Sequence, residues 1–196
     1  MRAALFVLLA ACTPEIASGS YLCGAEESCP VNQACDGITD TCVITSSAKP
    51  FACETGTEFP GDDTSATAQQ VPQLACVSPP YQVHECLPMG DMADWFKFSV
   101  PSTCLTVEVQ ARILAPVAYE GISMELWDLD ANSPVGTDVP CADSIDDPAH
   151  VERCIKLMIN PGGNYGLLVK PSGQGNCGGS CAYNRYDLSV QLETPG

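Results

Sequence analysis

Thirteen cysteines in a chain of 196 residues constrain this sequence more than any other feature. Cytosolic thiols are kept reduced, so this density points to an exported protein in which disulfides persist. Four of the cysteines fall close together, as Cys23-x5-Cys29-x5-Cys35-x6-Cys42, among the turn formers Pro30, Asp36-Gly37 and Asp40. Few large apolar residues lie between them, so two disulfides must supply what burial cannot. A small disulfide-rich module with one hairpin is therefore predicted over residues 23–48. Four cysteines allow three pairings, and the expected one joins Cys23 to Cys35 and Cys29 to Cys42. Zinc is the competing use of clustered cysteines, but no Cys-x-x-Cys spacing occurs anywhere in the chain.

The Ser/Thr/Ala stretch Thr45 to Pro50 reads as a linker, which puts a domain boundary near residue 48. Beyond it the cysteines thin out and strict alternation begins. Phe96, Phe98 and Val100 alternate with Trp95, Lys97 and Ser99, and Leu105, Val107 and Val109 alternate with Thr106, Glu108 and Gln110. The same rule holds for Ile122, Met124 and Leu126, for Ile155, Leu157 and Ile159, for Tyr165, Leu167 and Val169, and for Tyr186, Leu188, Val190 and Leu192. Val71 to Cys76 and Tyr81 to Cys86 add two shorter strands. With no helical period between these runs, the expectation for residues 49–196 is an all-β, antiparallel, jelly-roll-like β-sandwich. Its cysteines pair Cys141 with Cys154 and Cys177 with Cys181 by closing local loops. Chain order alone suggests Cys53 with Cys76 and Cys86 with Cys104.

Several stretches resemble the bacterial pre-peptidase C-terminal domain, a small β-sandwich carried by many secreted proteins. Gly90-Asp91-Met92-Ala93-Asp94-Trp95-Phe96-Lys97-Phe98 is similar to its Gly-Asp-x-x-Asp-Trp-Tyr/Phe-x-Phe signature, and Asp62-Asp63-Thr64-Ser65-Ala66 to its opening segment. Leu126-Trp127-Asp128-Leu129-Asp130 resembles its Leu-Tyr-Asp-x-Asp/Asn turn. Gly163 to Val169 and Tyr186 to Val190 resemble its Gly-x-Tyr-x-Leu-x-Val and Tyr-x-Leu-x-Val strands. The extra cysteines, the excursion from Cys141 to Cys154 and the absence of the family's opening Glu depart from the pattern. The resemblance implies a sandwich that serves as an appendage to peptidases and, in collagen-binding relatives, holds calcium through the opening segment.

The chain opens with Met1-Arg2, an apolar run from Ala3 to Ala11, and Cys12. A positive start, a short apolar core and small residues before the cut read as an export signal, since a membrane span needs about 20 apolar residues. Leu9-Ala10-Ala11-Cys12 looks like a lipobox, so residues 1–11 are expected to be removed and Cys12 to carry a lipid. Lipidation also accounts for the odd cysteine and leaves twelve to pair. Residues 12–22 then form a tether. Thr13, where an Asp would favour inner-membrane retention, points to the outer membrane or cell surface.

Acidic residues outnumber basic ones by 24 to 8, which disfavours nucleic acid and anionic lipid headgroups as partners; such a surface either keeps an exported protein soluble or attracts cations or basic partners. Neither His84 nor His150 accompanies a recognisable nucleophile motif, so no enzyme is expected. Asp62, Asp63, Asp91 and Asp94 would converge if the opening segment folds against the signature turn. They then either hold calcium, which takes six to eight oxygens, or remain solvated turn carboxylates. Asp128 to Asn132 mimics half an EF-hand loop without its Gly and closing acid, and reads as a hairpin turn. The sequence thus describes a non-enzymatic, lipid-anchored surface protein whose sandwich binds a carbohydrate or protein. The alternatives are an accessory subunit of an envelope complex and a hydrolase with an unrecognised site.

Overall fold

A computed structural model describes residues 16–77, 79–144, 147–173 and 182–195. Cys12, Cys177 and Cys181 lie outside the described residues. The chain is all-β: a disulfide-bonded N-terminal module followed by a sandwich of two five-stranded sheets.

In the module, β1 (Gln33–Asp36) pairs antiparallel with β2 (Thr41–Ile44). Disulfides Cys23–Cys35 and Cys29–Cys42 tie one strand each to the segment before the hairpin. The Asp36 side chain closes the turn by accepting from Ile38 N at 2.9 Å, the local bond that makes Asp a turn former.

The sandwich strands are β3 (Gln69–Gln70), β4 (Tyr81–Leu87), β5 (Asp94–Ser99), β6 (Val107–Pro116), β7 (Ile122–Asp128), β8 (Ser133–Thr137), β9 (Val139–Pro140), β10 (His150–Ile159), β11 (Asn164–Pro171) and β12 (Asn184–Glu193). One sheet has the order β4-β12-β6-β10-β9 and the other β3-β5-β11-β7-β8. All pairings are antiparallel except β3 with β5. The alternating residues do what period-two patterning requires. Val107, Val109, Ala111 and Ile113 of β6 and Tyr186, Leu188, Val190 and Leu192 of β12 bury their side chains against the opposite sheet. There they meet a single cluster that includes Phe96, Phe98, Met124, Leu126, Leu167 and Val169.

Asp138 is the corner at which the chain leaves one sheet for the other, between β8 and β9. Its buried carboxylate accepts from Met124 N of one sheet at 3.0 Å and pairs with Arg153 of the other.

Three expectations are corrected. Val71 to Cys76 is not a strand, because Pro72 cannot donate to a ladder; only Gln69–Gln70 pairs, although Val71 and Leu74 are still buried. Leu105 is 94% exposed, because it lies in the turn before β6 starts at Val107. The order-based disulfides are replaced by Cys53–Cys86 and Cys76–Cys104. Cys86 belongs to edge strand β4, beside which the segment carrying Cys53 runs. Cys104 precedes β6 and packs into the core with Cys76. A further bridge, Cys141–Cys154, fastens the chain after β9 to β10.

Module and sandwich are packed together. Phe51, Tyr119 and Tyr183 form an aromatic cluster with ring centroids 4.4 to 5.6 Å apart, a spacing that adds to simple burial. Arg185 of β12 lies over Phe51, 4.8 Å from its centroid, and donates to Ile38 O at 2.9 Å and to Gly37 O. Gly37 is needed there, since a Cβ would come within 2.2 Å of Phe51 N.

Candidate functional site

Two places gather polar side chains, and they differ in character. The first surrounds the signature turn. Gly90 takes a positive φ of 96°, and Asp91 accepts from Ala93 N at 3.2 Å, so the chain doubles back and delivers Asp94 to the start of β5. Asp94 is 3% exposed and accepts a hydrogen bond from the Tyr186 hydroxyl. The opening segment folds against this turn, with Trp95 N donating to Asp62 O at 3.0 Å. The buried Asp62 carboxylate and Glu85 of β4 both accept from the Gln69 amide, each at 2.9 Å.

Burial dominates the electrostatics of this cluster and neighbouring charges add to it. Burial lifts Asp94 to about 8 despite the opposing hydrogen bond from Tyr186, with Asp62, Asp91 and Glu58 raising it further. Burial and the charge of Asp91 lift Glu58 to about 7. Asp62, Glu85 and Asp91 are also raised, in each case chiefly by burial. Within the group, Gln69 donates to Asp62 and Glu85, and Tyr186 donates to Asp94.

The calcium expectation for Asp62, Asp63, Asp91 and Asp94 is overturned. Asp62 and Asp94 are buried, but Asp63 is exposed at the surface. Among the described residues, the metal-ligating atoms that lie within 4.8 Å of one another are the sulfurs of Cys23, Cys29 and Cys42. Sulfur donors are of the kind zinc takes, whereas calcium takes oxygen. All three sulfurs are committed to disulfides, so they could become thiolate ligands only after reduction. Asp128 to Asn132 forms the turn between β7 and β8, where Asp128 accepts from Ala131 N at 2.9 Å.

The second place is the outer face of the β4-β12-β6-β10-β9 sheet. The outward residues stand in rows across the strands. His84, Asp187, Leu114 and Glu152 form one row, and Gln82, Ser189, Arg112 and Cys154 the next. Above these rows lie two adjoining hollows of about 670 and 580 Å³ that share Arg112 and Ser189. The segment from Val139 to Asp143, fastened by Cys141–Cys154, walls the larger one.

Both histidines have carboxylate partners, His84 with Asp187 at 2.6 Å and His150 with Asp147 at 2.7 Å. In each pair the carboxylate engages the ring's Nδ1. Sequence reasoning missed Glu85, although it shares the inward parity of Tyr81 and Val83, which marks a carboxylate aimed at the interior. It also missed Glu152, because β10 begins at His150 within what reads as an acidic loop.

Fold and site together define a disulfide-braced all-β sandwich with a groove on the outer face of one sheet. No family model matches the chain, and no curated protein does. Among solved structures it is similar to the crystal structure of the pre-peptidase C-terminal domain of the collagenase from Bacillus anthracis. That likeness has a TM-score of 0.43 at 20% identity and covers 63% of this chain and 94% of that one.

Proposed function

We propose that this chain is a non-enzymatic, lipid-anchored cell-surface protein whose sandwich binds a macromolecule, either protein or carbohydrate. The observation that carries this reading is the pair of adjoining hollows on the outer face of one sheet, floored by rigid strands and walled by a disulfide-fastened segment. Polar side chains placed on paired strands are pre-organised for recognition. Binding of the mature chain to glycan and protein arrays tests this. A saturable ligand lost on Ser189→Trp, which fills the place where the two hollows adjoin, supports the reading, and silence on both arrays removes it in favour of an accessory role in an envelope complex.

Anchoring rests on Leu9-Ala10-Ala11-Cys12. Among the described residues no helix is long and apolar enough to cross a membrane. The mature protein is expected to carry a diacylglyceryl mass on Cys12, and Cys12→Ser should release it from membranes. A Cys12→Ser protein that still sediments with membranes would exclude this anchor.

A further inference from the structure

Glu152 stands out in the smaller hollow. Its side chain is 6% exposed, and its Oε2 is buried without a hydrogen-bond partner. Buried carboxylate oxygens are almost always satisfied, because leaving one bare costs its full desolvation. The nearest cation is Arg112, whose Nη2 stands 3.9 Å away, beyond hydrogen-bond reach. Arg112 is instead turned toward Asp143, to which it donates at 2.6 Å. Glu152 therefore lines a hollow of about 580 Å³ with an oxygen that accepts no hydrogen bond among the described residues.

The surroundings define what could fill it. Glu152 lies directly across from Leu114 on β6, and Leu114 lies directly across from Asp187 on β12. A half-buried apolar side chain is thus flanked by carboxylates on the two neighbouring strands, spaced about 5 Å from it on either side. Lysine and arginine side chains pair an aliphatic stem with a cationic head, which matches an apolar floor between two acids. The formal charge of −16 attracts the same kind of partner over a longer range.

Resting on the binding reading above, we infer that the groove takes an extended, basic segment of a partner protein. The stem of one lysine or arginine lies on Leu114, and its cationic group donates to Glu152. The segment continues along the larger hollow past Ser189 and Gln191.

The test uses the isotopically labelled mature chain, titrated by NMR with capped Gly/Ser decapeptides carrying one central Arg, Lys, Gln or Glu. The Arg and Lys peptides are expected to shift the amide signals of Leu114, Glu152 and Asp187 saturably, and the Gln and Glu peptides are not. Glu152→Gln should weaken the Arg peptide at least about tenfold, as expected when a buried charge pair loses one charge. Glu26→Gln, which removes the same charge from an exposed site on the N-terminal module, should leave binding unchanged.

Equal weakening by both variants would reduce the effect to general charge attraction and overturn the inference. If Glu152→Gln does not fold, the map of shifted amides in the unaltered chain decides, and shifts away from Leu114 and Asp187 overturn it. Binding of neutral peptides or glycans in the groove without dependence on Glu152 overturns the ligand class while leaving the binding reading intact. Silence toward every peptide and glycan overturns both.

Discussion

Asp94 shows how far one residue's environment can depart from its sequence context. Three residues after Asp91 in a polar turn, it reads as a solvated acid, yet β5 carries it beneath the opening segment and against Tyr186. Burial raises it from 3.8 to about 8. An acid raised in this way is stabilised in its protonated form, so its contribution is complete below about pH 4 and is lost as pH rises through about 8. Glu58, raised to about 7, acts in the same direction. The melting temperature is expected to fall by roughly 5 °C or more between pH 5 and pH 9. Asp94→Asn, neutral at every pH and still able to accept from Tyr186, should raise the value at pH 9 and flatten the profile. Thermal denaturation across that range checks both. The convergence of Asp62, Asp91 and Asp94 was legible from the turn residues, whereas the way they are held was not. The upward shift follows from burial, and around Asp62 the partners Gln69 and Glu85 arrive from other strands.

The strands were readable because alternation is a local signal that one buried face imposes directly. Phe96, Phe98, Leu126, Leu167 and Leu188 all lie in the core their parity assigns. The ends and partners of strands were less readable, because they depend on contacts distant in sequence. Leu105 keeps the parity of Val107 yet stands in solvent, and Cys53 reaches Cys86 past the nearer Cys76. The corner between β8 and β9 belongs to the same class. Asp138 accepts from Met124 N and from Arg153, so it fastens both sheets at the crossing. Asp138→Ala leaves a partly buried guanidinium and a backbone N–H without their acceptor. It should cost about 2–4 kcal/mol, measurable by urea denaturation at unchanged m. Asp138→Asn, which keeps one acceptor, should cost less.

At the scale of the whole molecule, the N-terminal module and the sandwich meet through Arg185, Gly37 and the aromatic cluster of Phe51, Tyr119 and Tyr183. Gly37→Ala would drive a methyl group to 2.2 Å from Phe51 N, so the backbone must separate there. The expected outcome is a module that unlatches without unfolding, since its own two disulfides remain. Faster proteolysis between residues 45 and 58, with the sandwich melting temperature nearly unchanged, would show it. The Cys53–Cys86 bridge also has a mechanical meaning. Tension applied at the N-terminal end and resisted at the groove passes through that covalent link straight into β4. From there it is carried by the hydrogen bonds between β4 and β12. The part of the closed span that precedes β4 bears none of it, which withholds roughly 90 Å of extensible chain. Glu58 and Asp62 lie inside that span and are shielded from load, whereas Asp91 and Asp94 follow it, so pulling on the molecule strains the sheet before it draws the opening segment away from the turn.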